Sequence, residues 1–189
     1  MKNNNNHWLF GMAALAALFQ SGILYASIEN RASILRDGKD IVLLTQPVDP
    51  RDLMRGDYVT LGYGISSIPR SGVTGTPDGD HADIYVAVKP GADGNWQFSR
   101  ASFQPINDLA AGEVMLKGQT RYAVSQQPEL VSVNYGIERY YIPQGDGARI
   151  EDEQRQENIQ AVIAVSPAGV AQIKALNENG KALYQEPLY

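Results

Sequence analysis

Asp78, Asp80, His81 and Asp83 crowd one short loop and offer carboxylate and imidazole ligands side by side. Those residue types suit a small cation or a cationic ligand. A transition-metal site needs a third or fourth fixed ligand of matching type, and the other histidine, His7, lies ahead of a long apolar run. The aspartate spacing is not that of a calcium-binding loop either. These four residues are therefore weak metal candidates, and no cofactor is expected. Serine hydrolysis would have to recruit His81 as base, and no Gly-x-Ser-x-Gly elbow accompanies it. The chain has no cysteine, which removes thiol nucleophiles, thiolate zinc sites and disulfides. Glu151, Asp152, Glu153 and Glu157 could pair carboxylates for acid–base work, but Arg149 and Arg155 are interleaved with them, the pattern of a solvated helix face. The residues point away from an enzyme, and the 78–83 loop keeps a ligand-binding, cation-binding or hydrolytic role open as the alternative.

Charge narrows the partners. The formal net charge is −5, and the basic residues are scattered singly among carboxylates. A nucleic-acid surface needs clustered Lys and Arg to displace counterions, so no nucleic-acid partner is expected. With 189 residues the chain has room for one ordinary domain with its own core.

Any such site must be positioned by a chain that begins unusually. Residues 1–7 form a polar leader, and residues 8–28 (WLFGMAALAALFQSGILYASI) carry no charged side chain. At ~1.5 Å rise per residue that run crosses a hydrocarbon core of ~30 Å, and Trp8 and Tyr25 sit near its ends, where amphipathic rings favour the interface. It exceeds the ~7–15 apolar residues of a cleaved signal peptide, so it is read as a retained signal-anchor. The flanking charges of Arg31, Arg36 and Lys39 lean against export, but long C-terminal domains translocate largely regardless of them, and the domain is expected outside the cytoplasm. Residues 29–40 have helical character up to Asp37-Gly38 and read as a stalk.

Residues 41–189 read as the β-rich domain. Val, Ile and Tyr mark strands at 41–46, 83–89, 96–103, 114–125, 131–142, 159–165, 170–176 and 181–184. Turns lie between them at Asp93-Gly94, Pro167-Ala168-Gly169 and Asn179-Gly180. Over 57–65, Asp57, Val59, Leu61, Tyr63 and Ile65 alternate with Tyr58, Thr60, Gly62 and Gly64, the period of a half-buried strand. Residues 66–81 are crowded with Gly, Pro, Ser and Asp and read as a mobile loop, and 148–158 as a short exposed helix. The fold class expected is mainly β, an antiparallel sandwich or small barrel with one short helix, plus one N-terminal transmembrane helix.

The stretch Arg55-Gly56-Asp57-Tyr58-Val59-Thr60-Leu61-Gly62-Tyr63 resembles the signature of the GDYXXLXY family, with every fixed position present. Pro47 to Leu53 is similar to the family's lead-in. Gly136 to Gly145 resembles its aromatic, apolar, Pro, acidic, Gly segment, with Gln144 departing by its lack of charge. The resemblance implies a single-pass protein of the bacterial inner membrane with a periplasmic domain and no established activity, and it makes an integral membrane partner plausible. On this resemblance the motif and interaction residues are Arg55, Gly56, Asp57, Tyr58, Leu61, Tyr63, Tyr140, Tyr141, Pro143 and Gly145. Two readings of the motif stand. In one, Gly56 and Asp57 set a turn that starts a strand, and Leu61 and Tyr63 pack inward. In the other, Tyr58 beside Arg55 and Asp57, with Tyr140 and Tyr141, is an aromatic surface for a protein partner.

Overall fold

The computed structural model describes residues 7–46, 58–127, 129–141 and 159–187, with the backbone alone at His7 and Tyr58. The motif residues Arg55, Gly56 and Asp57, the segment with Pro143 and Gly145, and the helix expected over 148–158 lie outside the described residues.

Among the described residues one long helix, α1 (His7–Asp37), leads into thirteen strands. They are β1 (Lys39–Gln46), β2 (Tyr58–Thr60), β3 (Gly62–Tyr63), β4 (Ser67–Pro69), β5 (Val73–Thr74), β6 (Asp83–Pro90), β7 (Trp96–Ser102), β8 (Val114–Thr120), β9 (Leu130–Asn134), β10 (Arg139–Tyr141), β11 (Ile159–Val165), β12 (Ala171–Glu178) and β13 (Lys181–Gln185). One sheet runs β13-β12-β11-β1-β3, a second β4-β9-β8-β6-β7-β5, and β10-β2 is a separate ribbon. The fold is mainly β, and the sheets curl toward a nearly closed barrel. Every pairing is antiparallel except the short β5–β7 one.

The alternation in the sequence decides what lies inside. Ile41, Leu43 and Thr45 of β1 face the core, as do Ile84, Val86 and Val88 of β6 and Ile159, Ala161 and Ile163 of β11. Buried Thr45 avoids an unpaired hydroxyl by donating to the Ile159 carbonyl at 2.9 Å. The β11–β12 turn crosses to the other sheet, where the Lys117 amide donates to the Gly169 carbonyl at 2.8 Å. The approach there is so close that a Cβ on Gly169, which sits at φ +85°, would lie 2.9 Å from the Lys117 nitrogen.

Two expectations are corrected. The 57–65 run is not one strand, because β2 pairs with β10 while β3 pairs with β1, and the Leu61 amide between them donates to the Glu138 carbonyl at 2.9 Å. Its inward face is nonetheless the expected one, since Val59, Leu61, Tyr63 and Ile65 are all buried. The 66–81 segment is not a loop without apolar partners. Its strands β4 and β5 pair with β9 and β7 and bury Ile68 and Val73.

α1 continues to Asp37, and Ala32, Ile34 and Leu35 are buried. Ile34 and Leu35 cluster with Ala164, which alternates with core-facing Ile163 and so lies on the outer face of the sheet. The helix end is thus packed on the barrel. Gly38 makes the join: its amide donates to the Ile34 carbonyl at 2.9 Å, and a Cβ there would fall 2.4 Å from that same oxygen. Residues nearer the N-terminus are bare, with Phe10, Leu18, Phe19 and Tyr25 at least 70 % exposed.

Candidate functional site

The motif strand ends in a reciprocal brace. Tyr63, buried on the inner face of β3, donates its hydroxyl to the Ile137 carbonyl at 2.8 Å. Tyr135, buried at the end of β9, donates in the opposite sense to the Ile65 carbonyl at 2.8 Å. Glu138 holds the turn between them. Its carboxylate accepts from the Tyr135 amide at 2.6 Å, and its own carbonyl accepts from Leu61. Burial, and after it the Glu138 charge, pushes both phenols well above their ordinary pKa of 10.0. They stay protonated at any physiological pH, which suits hydrogen-bond struts and not a proton-transfer pair.

Tyr140 and Tyr141 do not form one aromatic surface. Tyr140 is buried, its ring tilted at 53° against Tyr184 with centroids 6.4 Å apart. Burial, with the charge and hydrogen bond of Glu186 adding to it, pushes its hydroxyl up to about 12. Alternation along β10 turns Tyr141 outward to 73 % exposure, and its Cα partner across the ribbon is Tyr58.

The 78–83 loop does not bring its ligand types together. Asp83 belongs to β6, where Lys117 at 2.7 Å and Gln119 at 3.2 Å engage its carboxylate and hold its pKa below the usual value. The ring of His81 lies 3.2 Å from the Thr120 carbonyl, and the Thr120 hydroxyl bonds back to Asp80 through the backbone. Among the described residues no group of three or more His, Asp and Glu side chains is placed to hold a metal ion.

A family model described as GDYXXLXY protein matches residues 20–176, a span that contains the docked helix end, the motif and both tyrosine struts. The chain belongs to the GDYXXLXY family. No curated protein and no solved structure matches it. Of the GDYXXLXY signature's fixed positions, Leu61 and Tyr63 are core residues here, which is the inward-packing reading of the motif. Tyr135 and Glu138, which complete the brace, were not singled out from the sequence. Their signal was an aromatic just before Gly136, which takes a positive φ of 80°, and a carboxylate two residues after it, inside the stretch that resembles the family's second segment.

A second constellation escaped the sequence. Trp96 and Phe98 on β7, Gln46 at the end of β1, Asp93 and Asn95 of the β6–β7 turn, and Gly64-Ile65 directly after the motif line a hollow of about 270 Å³. Asp93 accepts from the Asn95 backbone at 3.2 Å and from its side chain at 3.0 Å, and Asn95 in turn accepts from Gln160 at 2.8 Å.

Proposed function

We propose that this GDYXXLXY protein is a single-pass protein of a bacterial inner membrane, with its barrel on the periplasmic side, and that it works as a non-enzymatic interaction module for an integral membrane partner. One observation carries the reading: α1 is apolar on all sides and bare over residues 8–28, yet is packed on the barrel at Ile34 and Leu35 and joined to it without slack at Gly38. A helix hydrophobic all round is stable only where something apolar surrounds it, and this one is long and apolar enough to cross a membrane. Gln20 supports a partner within the bilayer. It shares a helix side with Ala13, Ala17 and Leu24 by their spacing, and an amide in hydrocarbon gains by bonding to a neighbouring helix that small residues let come close. Outward-facing Tyr141 is the aromatic anchor offered outside it.

A photo-crosslinking residue placed singly at Gln20 and at Tyr141 in native membranes tests the reading. The expected result is one discrete crosslinked integral membrane protein from each position. Recovery of the uncrosslinked chain alone, from both positions, would reject the partner.

A further inference from the structure

The hollow between β1 and β7 is built unlike the rest of the surface. Trp96 and Phe98 are packed against the core and only half-buried, so their rings have fixed positions and remain reachable. Around them stand two neutral amides, Gln46 and Asn95, and one carboxylate, Asp93. Among the described residues no Lys, Arg or His lines the hollow. A site of this kind has little to offer an anion, and its polar side chains are those that both donate and accept.

We infer that this hollow binds a neutral saccharide unit. A sugar ring presents a face of C–H groups, whose slightly positive hydrogens suit the negative face of an indole or phenyl ring. Its hydroxyls are each donor and acceptor, so they need partners of both kinds, which planar amides supply together. Asp93 adds an acceptor already held in place, its carboxylate kept ionised and oriented by Asn95. Asn95 is fixed by Gln160 from β11, so the polar rim is ordered before a ligand arrives and less ordering entropy is lost on binding. The volume, about 270 Å³, lies just below the ~300 Å³ at which sites for drug-sized ligands begin, which is room for one ring and not for a long segment of glycan. A cationic ligand is the rival occupant, since aromatic faces also attract cations. It is disfavoured because the lining sets a single carboxylate beside neutral amides, with no second acidic group among the described residues to balance a cation.

The chain has two tryptophans, so Trp8→Phe leaves Trp96 as the sole indole reporter in the full-length protein. That protein is placed in nanodiscs, because many detergents carry sugar headgroups. Glucose, galactose, N-acetylglucosamine and their disaccharides are titrated in turn, and a glycosyl lipid is built into the disc in a separate arm to distinguish a headgroup from a soluble glycan. The expected result is a saturable change in Trp96 emission for at least one sugar, in either arm, with Kd on the order of 1 mM. Asp93→Asn and Gln46→Ala are each expected to weaken it by about tenfold. Gln46 is exposed, so its variant keeps the test informative even if Asp93→Asn disturbs the turn. Flat emission in both arms overturns the inference, as does affinity unchanged in Gln46→Ala. So does a saturable response to tetramethylammonium with none to any sugar.

Discussion

Tyr63 and Tyr135 each bury a phenol to satisfy a carbonyl two residues beyond the other, and both answer to Glu138. Removing either hydroxyl leaves a buried acceptor unpaired, at a cost of about 1–3 kcal/mol, or roughly 2–4 °C in Tm per kcal/mol for a chain of this size. Tyr63→Phe and Tyr135→Phe are both expected to lower the melting midpoint by that much. Because the two share one turn, the double variant is expected to lose less than the sum of the singles, and strict additivity in thermal melts would show that they do not act as a brace. The same phenols set an alkaline limit. Their folded pKa values lie above the unfolded 10.0, with Tyr140 at about 12, so above pH 10 the unfolded chain loses protons that the folded one keeps. Stability is therefore expected to be flat below about pH 10 and to fall as pH rises toward 12. A denaturation series that stays level through that range would refute it. Leu61 and Tyr63 were legible as inward residues from strict alternation. That Tyr140 is buried and Tyr141 exposed was not, since adjacent tyrosines carry no local sign of which one meets the core.

At the scale of elements, turns were easier to read than pairings. Asn179-Gly180 takes positive φ at both residues, and Gly94 takes +81° in the β6–β7 hairpin, as the Asn-Gly and Asp-Gly pairs require. Segment 66–81 was misread because Ile68 and Val73 stand singly among turn-formers, and what makes them strands is long-range pairing with β9 and β7. The packing of the segment read as a stalk was not legible for a related reason. Ala32, Ile34 and Leu35 form too short a seam to show periodicity, and only Ala164 on the outside of the sheet explains them. Two glycines carry the joins between elements. Gly169→Ala adds a Cβ at positive φ against the Lys117 backbone, and Gly38→Ala drives one into the Ile34 carbonyl. Each is expected to cost about 1–3 kcal/mol by thermal melting. The Gly38 variant should in addition expose Ile34 and Leu35 to protease by lifting the helix end from the sheet. A Gly38→Ala protein that melts and digests like the parent would show that the join has slack.

For the whole molecule, the decisive balance is between the bare part of α1 and the packed part. Ile34 and Leu35 are buried beside Ala164. Residues 8–28 expose Trp8, Leu9, Phe10, Met12, Leu15, Leu18, Phe19, Ile23, Leu24, Tyr25 and Ile28. Burying a large apolar side chain is worth about 1.5–3 kcal/mol, so the eleven bare ones outweigh the two docked ones about fivefold. The full-length chain is therefore expected to remain in the pellet when membranes are washed with alkaline carbonate. A barrel attached only through surface charge would be released by the same wash, because its contacts are screened and titrated. Orientation is tested separately, with a reporter that is active only outside the cytoplasm fused after Tyr189. Activity is expected there, whereas a stable but silent fusion would turn the barrel to the cytoplasmic side, and release of the unfused chain by carbonate would remove the anchor itself. Because the helix end is fixed to the sheet at Gly38, the outcome also decides which water compartment the Trp96 hollow opens into, and hence which saccharides it can meet.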